Sequence, residues 1–190
     1  MSVERDVMQY DSVIVGAGPA GLACAIRLKQ LNPEISVCVL EKGVSVGAHS
    51  LSGAVIEPGP LDALLPDWRD SPPEICVPAA RDEFRLMTRT GGMTLLTPPQ
   101  MHNRGNLIIS LGQLTAILAG RAESMGVDVF PGFAAAAALH DSAGAVCGVR
   151  VGDMGLEKTA SPVRTLLRAR RFAQKSRSLP KVVVEALPNN

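Results

Sequence analysis

Aromatic residues are scarce in this sequence, with one Trp, one Tyr and four Phe in 190 residues. Tyr10, Trp68, Phe84, Phe130, Phe133 and Phe172 are too scattered to build a base-stacking platform, and the formal charge is nearly balanced at +1. Nucleic acid is therefore not expected as a partner. No apolar run approaches the roughly 18 residues that a membrane-spanning helix needs. The opening residues, MSVERDVMQYD, hold neither a signal-peptide core nor an Arg-rich amphipathic presequence, so an intracellular location is expected. Cysteines are few and isolated. Cys24, Cys38, Cys76 and Cys147 contain no CxxC pair, which argues against a disulfide or a metal site. Cys24 and Cys38 fall inside a predicted helix and strand, where a free thiol acts as a small apolar side chain.

Glycine is where the sequence becomes specific. Ser12 to Leu28 reads SVIVGAGPAGLACAIRL. The run Val13-Ile14-Val15 suits a strand buried on both faces. Gly16-x-Gly18-x-x-Gly21 follows at once, and Leu22, Ala25, Ile26 and Leu28 then recur at helical spacing. In a dinucleotide-binding unit Gly16 permits the sharp turn, Gly18 lets a pyrophosphate approach the backbone, and Gly21 lets helix and strand pack closely. Pro19 suits the first helical turn, whose free N–H groups and positive dipole end face the phosphates. A second strand-like run, Ile35 to Leu40, ends in Glu41, twenty residues beyond Gly21, where an acid can accept hydrogen bonds from ribose hydroxyls. An adenine dinucleotide is the expected ligand, and these residues alone leave FAD and NAD both open.

Beyond Glu41, glycines 43, 47 and 53 break up a loop at a strand's carboxyl end, where an α/β fold keeps its ligand. Leu61, Leu64 and Leu65, between Pro60 and Pro66, fit a short amphipathic turn. Read from the residues alone, it packs on the core rather than forming an exposed lip with Trp68 at its edge. Phe84 to Thr97 predicts a hairpin turning at Gly91-Gly92. The polar loop Met101 to Asn106 carries His102, which fits a solvated or loop-bonded histidine better than a catalytic one. Ser110 is a predicted N-cap for a helix from about Leu111 to Met125, stopped by Gly126. Val127 to Phe130 reads as a strand, and Ala134 to Leu139 with Ala145 to Val151 as a further hairpin. The order predicts an α/β flavoprotein layout.

Several stretches together resemble electron-transfer flavoprotein–ubiquinone oxidoreductase: VIVGAGPAGLACAIRLKQL, VCVLEKG, VGAHSLSGAVIEP, LLPDW, MHNRGNLIISLGQL and AESMGVDVFPGFAAA. The resemblance is collinear from about Tyr10 to Lys158. It implies an α/β fold, a Rossmann-like FAD/NAD(P)-binding domain of the glutathione-reductase type, here incomplete and carrying an inserted β-hairpin. It implies FAD as cofactor, contacted by Val15, Gly16, Ala17, Gly18, Pro19, Ala20, Gly21, Glu41, Lys42, Gly47, Ser52 and Gly53. It further implies electron transfer from reduced electron-transfer flavoprotein to ubiquinone. The segment from Ser50 to about Ser71 is then expected against a membrane, which reverses the core-packed reading of the leucines. The location so implied is bacterial-type, peripheral on the inner face of the cytoplasmic membrane. The geranylgeranyl-reductase-like group shares the glycine motif and acid but less of the LSGAV and PDW segments. A non-enzymatic remnant is a third reading.

The departures are as informative. Members of the family are much longer, and no cysteine spacing here can stand in for the ligands of their [4Fe–4S] cluster. From Thr159 the resemblance ends and the composition changes: acids outnumber bases 17 to 12 before it, and bases outnumber acids 7 to 1 from there on. The expected organisation is a partial FAD-binding domain over residues 10–158 and a divergent basic tail over 159–190, frameshifted or disordered. Truncation there is expected to leave Val13-Ile14-Val15 as an unpaired apolar edge.

Overall fold

The structure, a computed structural model, describes residues 7–50, 52–70, 75–152 and 171–174. The chain divides into two units, residues 1–50 with 115–190, and residues 51–114. In the first unit, β1 (Val7–Tyr10) and β2 (Ser12–Val15) lead into α1 (Pro19–Leu31) and β3 (Val37–Glu41). The strands of the second unit are β4 (Ser52–Ile56), β5 (Cys76–Pro78), β6 (Phe84–Met87), β7 (Gly92–Leu95) and β8 (Leu107–Ser110), with α2 (Pro58–Leu64) after β4. The unit boundary falls within α3 (Leu111–Ser124). The first unit then resumes with β9 (Val127–Pro131), β10 (Ala135–His140), β11 (Val146–Val151) and β12 (Arg171–Gln174).

The first unit is built on a parallel sheet of order β2-β3-β9. Val13 stands opposite Cys38 and Val15 opposite Leu40, so alternate residues share a face. One face, with Val13, Cys38 and Leu40, joins Tyr10, Val149 and Val151 in a core against the second sheet, and Met8, Val15, Phe130 and Phe133 pack on it. The interleaved residues Ile14, Val37 and Val39 are also buried, as are Leu22, Ala25 and Ile26 of α1. Burial of both faces explains why these strands read as unbroken β-branched runs rather than alternating ones. Burial, with the Asp128 charge adding to it, pushes the Cys38 thiol far above its ordinary range, so this cysteine is a neutral core side chain.

Two local devices fix the turn between α1 and β3. Lys29, in the last helical turn, is buried and its Nζ donates to the carbonyls of Pro33 and Ile35 at 2.6 and 3.1 Å. A cation there also complements the helix dipole. The Asp11 carboxylate accepts from the Ser36 amide and hydroxyl at 2.9 and 2.6 Å, tying the start of β2 to that of β3.

The second sheet of this unit has the order β1-β12-β11-β10. The predicted hairpin of Ala134 to Val151 is therefore present as β10 and β11, but as half of a larger sheet. Four residues of the basic tail, Arg171–Gln174, form β12 between β1 and β11, parallel to the first and antiparallel to the second. The rest of the tail lies outside the described residues. Among the described residues β2 pairs with β3 alone, so its other edge has no ladder partner.

The second unit holds a three-stranded sheet of order β4-β8-β5 and the β6-β7 hairpin. The hairpin sits where it is predicted, but its turn is Thr88 to Gly91: the Thr88 amide donates to the Gly91 carbonyl at 2.7 Å, and Gly92 already belongs to β7. Ser110 closes β8, where it pairs with Ser52, and it directly precedes Leu111, the first residue of α3, the N-cap position predicted for it. Trp68, expected at an exposed apolar edge, is buried at 4 % exposure. Its indole N–H donates to Asp62 Oδ1 at 2.7 Å, Arg69 grips both oxygens of the same carboxylate at 2.9 Å, and the guanidinium carbon stands 5.0 Å from the indole centroid.

The bonds from Arg69, and then from Trp68, hold the Asp62 carboxyl below the usual carboxylate range. A depressed carboxyl contributes stability above the ordinary aspartate pKa and loses it as pH falls through the lowered folded value. Because Trp68 is the sole tryptophan, its fluorescence reports this clamp directly. Its emission is expected to stay that of a buried indole through the ordinary aspartate range, shifting red only in stronger acid. Asp62→Ala should shift it red at neutral pH, and an unchanged spectrum in that variant would show that the clamp does not hold the indole.

Candidate functional site

The site grows from the turn between β2 and α1. Gly16 has φ +100°, a left-handed conformation that a side chain would strain, and its amide donates to the Leu40 carbonyl at 2.7 Å. A Cβ on Gly21 would run into the Gly16 carbonyl oxygen and lie 3.3 Å from Ile14 Cγ2, so the bare glycine is what lets α1 sit so close to β2. Gly18 is different. A Cβ there would meet nothing within 4 Å, which makes its surroundings open rather than packed. Gly18 caps α1 without a side-chain hydrogen bond, Pro19 follows in the first turn, and no acid occupies that turn. The helix's leading amides and positive end are thus left for an anion.

Glu41, the last residue of β3, faces this turn. Its Oε2 accepts from the Ala17 amide at 2.9 Å and its Oε1 from the Gly43 amide at 2.7 Å. Ala17 is buried, so the carboxylate satisfies a donor that water cannot reach. An ionised carboxylate has about four acceptor positions. Two are used by the backbone, and the others can receive a hydroxyl pair.

Val15, Gly16, Ala17, Gly18, Pro19, Ala20, Gly21, Glu41 and Lys42 are thereby gathered at one end of the parallel sheet, where the β2–α1 turn and the end of β3 meet. Lys42 is exposed. Gly47, at φ +82°, turns the loop beyond it, and the Ser50 amide donates back to the Gly47 carbonyl at 3.0 Å. Ser52 and Gly53 belong to the second unit, in β4, where Gly53 at φ +78° sits at a register shift between Ser52 and Ala54, the position of a bulge. His102 lies in the second unit too, with Nε2 3.1 Å from the Thr97 carbonyl of its own loop.

Gly43, expected only as one of the glycines that break up this loop, and His49, which its sequence does not single out, also belong to the site. The signal for Gly43 is the acid two residues before it, since a carboxylate reaches an amide at that spacing. Nothing local marks His49, because its place depends on how the loop folds back. Among the described residues no three or more His, Cys, Asp or Glu side chains group as a metal site, and the four cysteines stand free on α1, β3, β5 and β11. The described residues therefore do not fit an iron–sulfur cluster. They fit a dinucleotide, because an unsatisfied helix start, an open glycine and a carboxylate with spare acceptor positions adjoin one another.

The parallel sheet, glycine turn and terminal acid define a Rossmann-like FAD/NAD(P)-binding fold. Residues 1–57 match the Thi4 family. Two solved structures share the fold at low identity. They are a geranylgeranyl bacteriochlorophyll reductase-like protein from Thermoplasma acidophilum (TM-score 0.61, 17 % identity, 88 % of this chain and 38 % of that one) and a flavin-dependent brominase (TM-score 0.59, 14 % identity, 88 % and 37 %).

Sequence similarity is more particular. The chain is 50 % identical over 169 residues to the mitochondrial electron transfer flavoprotein-ubiquinone oxidoreductase of Oryza sativa subsp. japonica, covering 87 % of this chain and 29 % of that protein. It is 48 % identical over 168 residues to the Pseudomonas aeruginosa protein of the same name, covering 84 % and 30 %. The chain thus spans about 30 % of the length of the relatives it matches.

Proposed function

We propose that this chain is the FAD-binding part of an oxidoreductase that passes electrons from reduced electron-transfer flavoprotein to ubiquinone. The observation that carries the reading is the Glu41 carboxylate. It links the amide of Ala17 in the glycine turn to that of Gly43, beside an α1 start left free for an anion. The similarity to the rice and Pseudomonas proteins supports FAD over NAD and supplies the named electron donor and acceptor.

In this reading the leading amides of α1 bind the diphosphate, and open space at Gly18 admits it. Glu41 receives the adenosine ribose hydroxyls, and Gly21 holds the helix at its working distance from β2. Bound FAD supplies the capacity to take electrons in and release them, and the chain's part is to bind and orient it. Ser52 and Gly53 remain proposed contacts of the second unit. The segment from Ser50 to Ser71 is proposed to meet the membrane surface through α2, in which no residue is buried, rather than through Trp68. Among the described residues no helix is long and apolar enough to cross a membrane.

The test is a titration of FAD against the purified 190-residue chain, read by flavin fluorescence and visible absorbance. Saturable but weak binding is expected, without turnover on a quinone. Soluble, folded protein that leaves the flavin signal unchanged would overturn the assignment.

A further inference from the structure

The loop after Glu41 brings a second titratable side chain to the same place. Two turns shape it, with the Ala48 amide donating to the Ser45 carbonyl at 3.3 Å and the Ser50 amide to the Gly47 carbonyl at 3.0 Å. Gly47 permits this fold-back with its positive φ of +82°. The result is that the imidazole of His49 lies against Gly43. A Cβ on Gly43 would stand 3.1 Å from Glu41 Oε1, 3.1 Å from His49 Nδ1 and 3.2 Å from His49 Cε1. Carboxylate and ring therefore share the small space over a buried glycine whose own amide Glu41 holds. The carbonyl of Gly43 is fixed as well, accepting from the Gly132 amide at 2.7 Å. The floor of the pair is anchored on both sides.

We infer that His49 is a further ligand-contacting residue, donating a hydrogen bond to a phosphate oxygen of the adenine dinucleotide. This rests on the flavin reading above. Glu41 can only accept hydrogen bonds, so it suits the ribose hydroxyls and repels phosphate. Apart from the exposed Lys42 ammonium, the remaining donors described at the site are backbone amides. An imidazole N–H beside the carboxylate supplies the complementary function, a side-chain donor for an anionic oxygen. The ring turns its Nδ1–Cε1 edge towards Gly43, and the residue is exposed, so Nε2 is available to a ligand.

Calorimetric titration of FAD, ADP and adenosine into the wild-type chain, His49→Ala and His49→Gln tests this, with thermal unfolding of each chain free of nucleotide. His49→Ala should weaken FAD and ADP about tenfold, the loss of one hydrogen bond to a charged group. Adenosine binding and the ligand-free midpoint should not change, and His49→Gln, which keeps a donor, should recover part of the loss. Wild-type binding with an unaltered His49→Ala overturns this inference and leaves the flavin reading intact. An equal loss for adenosine overturns the phosphate contact, and a lowered ligand-free midpoint makes the residue structural. A wild-type chain that binds neither FAD nor ADP overturns the flavin reading, and this inference with it.

Discussion

Gly21→Ala is expected to lower the stability of the first unit by about 3 kcal/mol, the upper part of the range for overpacking a close contact. The added methyl would meet the Gly16 carbonyl oxygen and Ile14 Cγ2, the one a backbone atom and the other a fully buried side chain. Neither can swing aside as the tip of a flexible side chain would. Gly16 cannot retreat either, because its amide is bonded to the Leu40 carbonyl and its φ of +100° is already set by the turn. Relief must come from moving α1 off the sheet, which exposes Leu22, Ala25 and Ile26. A fall in thermal midpoint on the order of 10 °C follows for a domain of this size. Nucleotide binding should be lost with it, since the helix start moves with the helix. Gly18→Ala is the control. Its Cβ meets nothing, so the ligand-free midpoint should hold while FAD binding weakens. A Gly21→Ala midpoint equal to wild type would mean that the helix–strand distance is not set by this glycine.

Glu41→Ala should have the next largest effect, and in two quantities at once. Removing the carboxylate leaves the Ala17 and Gly43 amides without their acceptor, at a cost of about 2 kcal/mol for donors shielded from water. FAD affinity should fall on the order of a hundredfold, from lost charged hydrogen bonds and a loosened glycine turn. Glu41→Gln separates the two causes. Both carboxylate oxygens accept from backbone N–H groups, and glutamine has only one oxygen to offer. Its NH2 would face an amide donor, so the isosteric change should cost nearly as much stability as the truncation. A Gln variant with wild-type midpoint and affinity would place Glu41 outside the turn's support.

The strand, turn and helix from Ser12 to Leu31 were legible in the sequence because each part depends on near neighbours. β-branched residues make the strand, glycines make the turn, and an apolar face at helical spacing makes α1. Glu41 was legible for the same reason, lying at the end of a readable strand. What escaped depends on partners distant in the chain. Leu107 to Ser110 becomes β8 because β4 and β5 flank it, not because four residues can declare a strand. β12 forms in a basic tail because β1 and β11 offer it two edges. Trp68 is buried because Asp62 accepts its N–H, a bond that depends on how α2 ends and that leaves no trace in hydropathy. The hairpin turn lies two residues earlier than Gly91-Gly92 because the Thr88 hydroxyl closes it, donating to the Gly91 carbonyl at 2.8 Å. His49 escaped for the reason that makes it interesting. Only the folded loop returns it to Glu41.

The pairing of Ser52 with Ser110 gives the chain a kind of modularity. β4 and β8 are the way into the second unit and the way out, and as antiparallel neighbours they bring the two ends of the excursion together. An insertion whose ends meet imposes little strain on its host, because the cost of closing a loop grows only slowly with its length. The segment between these serines can therefore be lengthened, exchanged or replaced by a short turn while the nucleotide fold keeps its own connections. Variation in substrate or surface can accumulate in the cassette, while the glycine turn and its acid remain under a separate constraint.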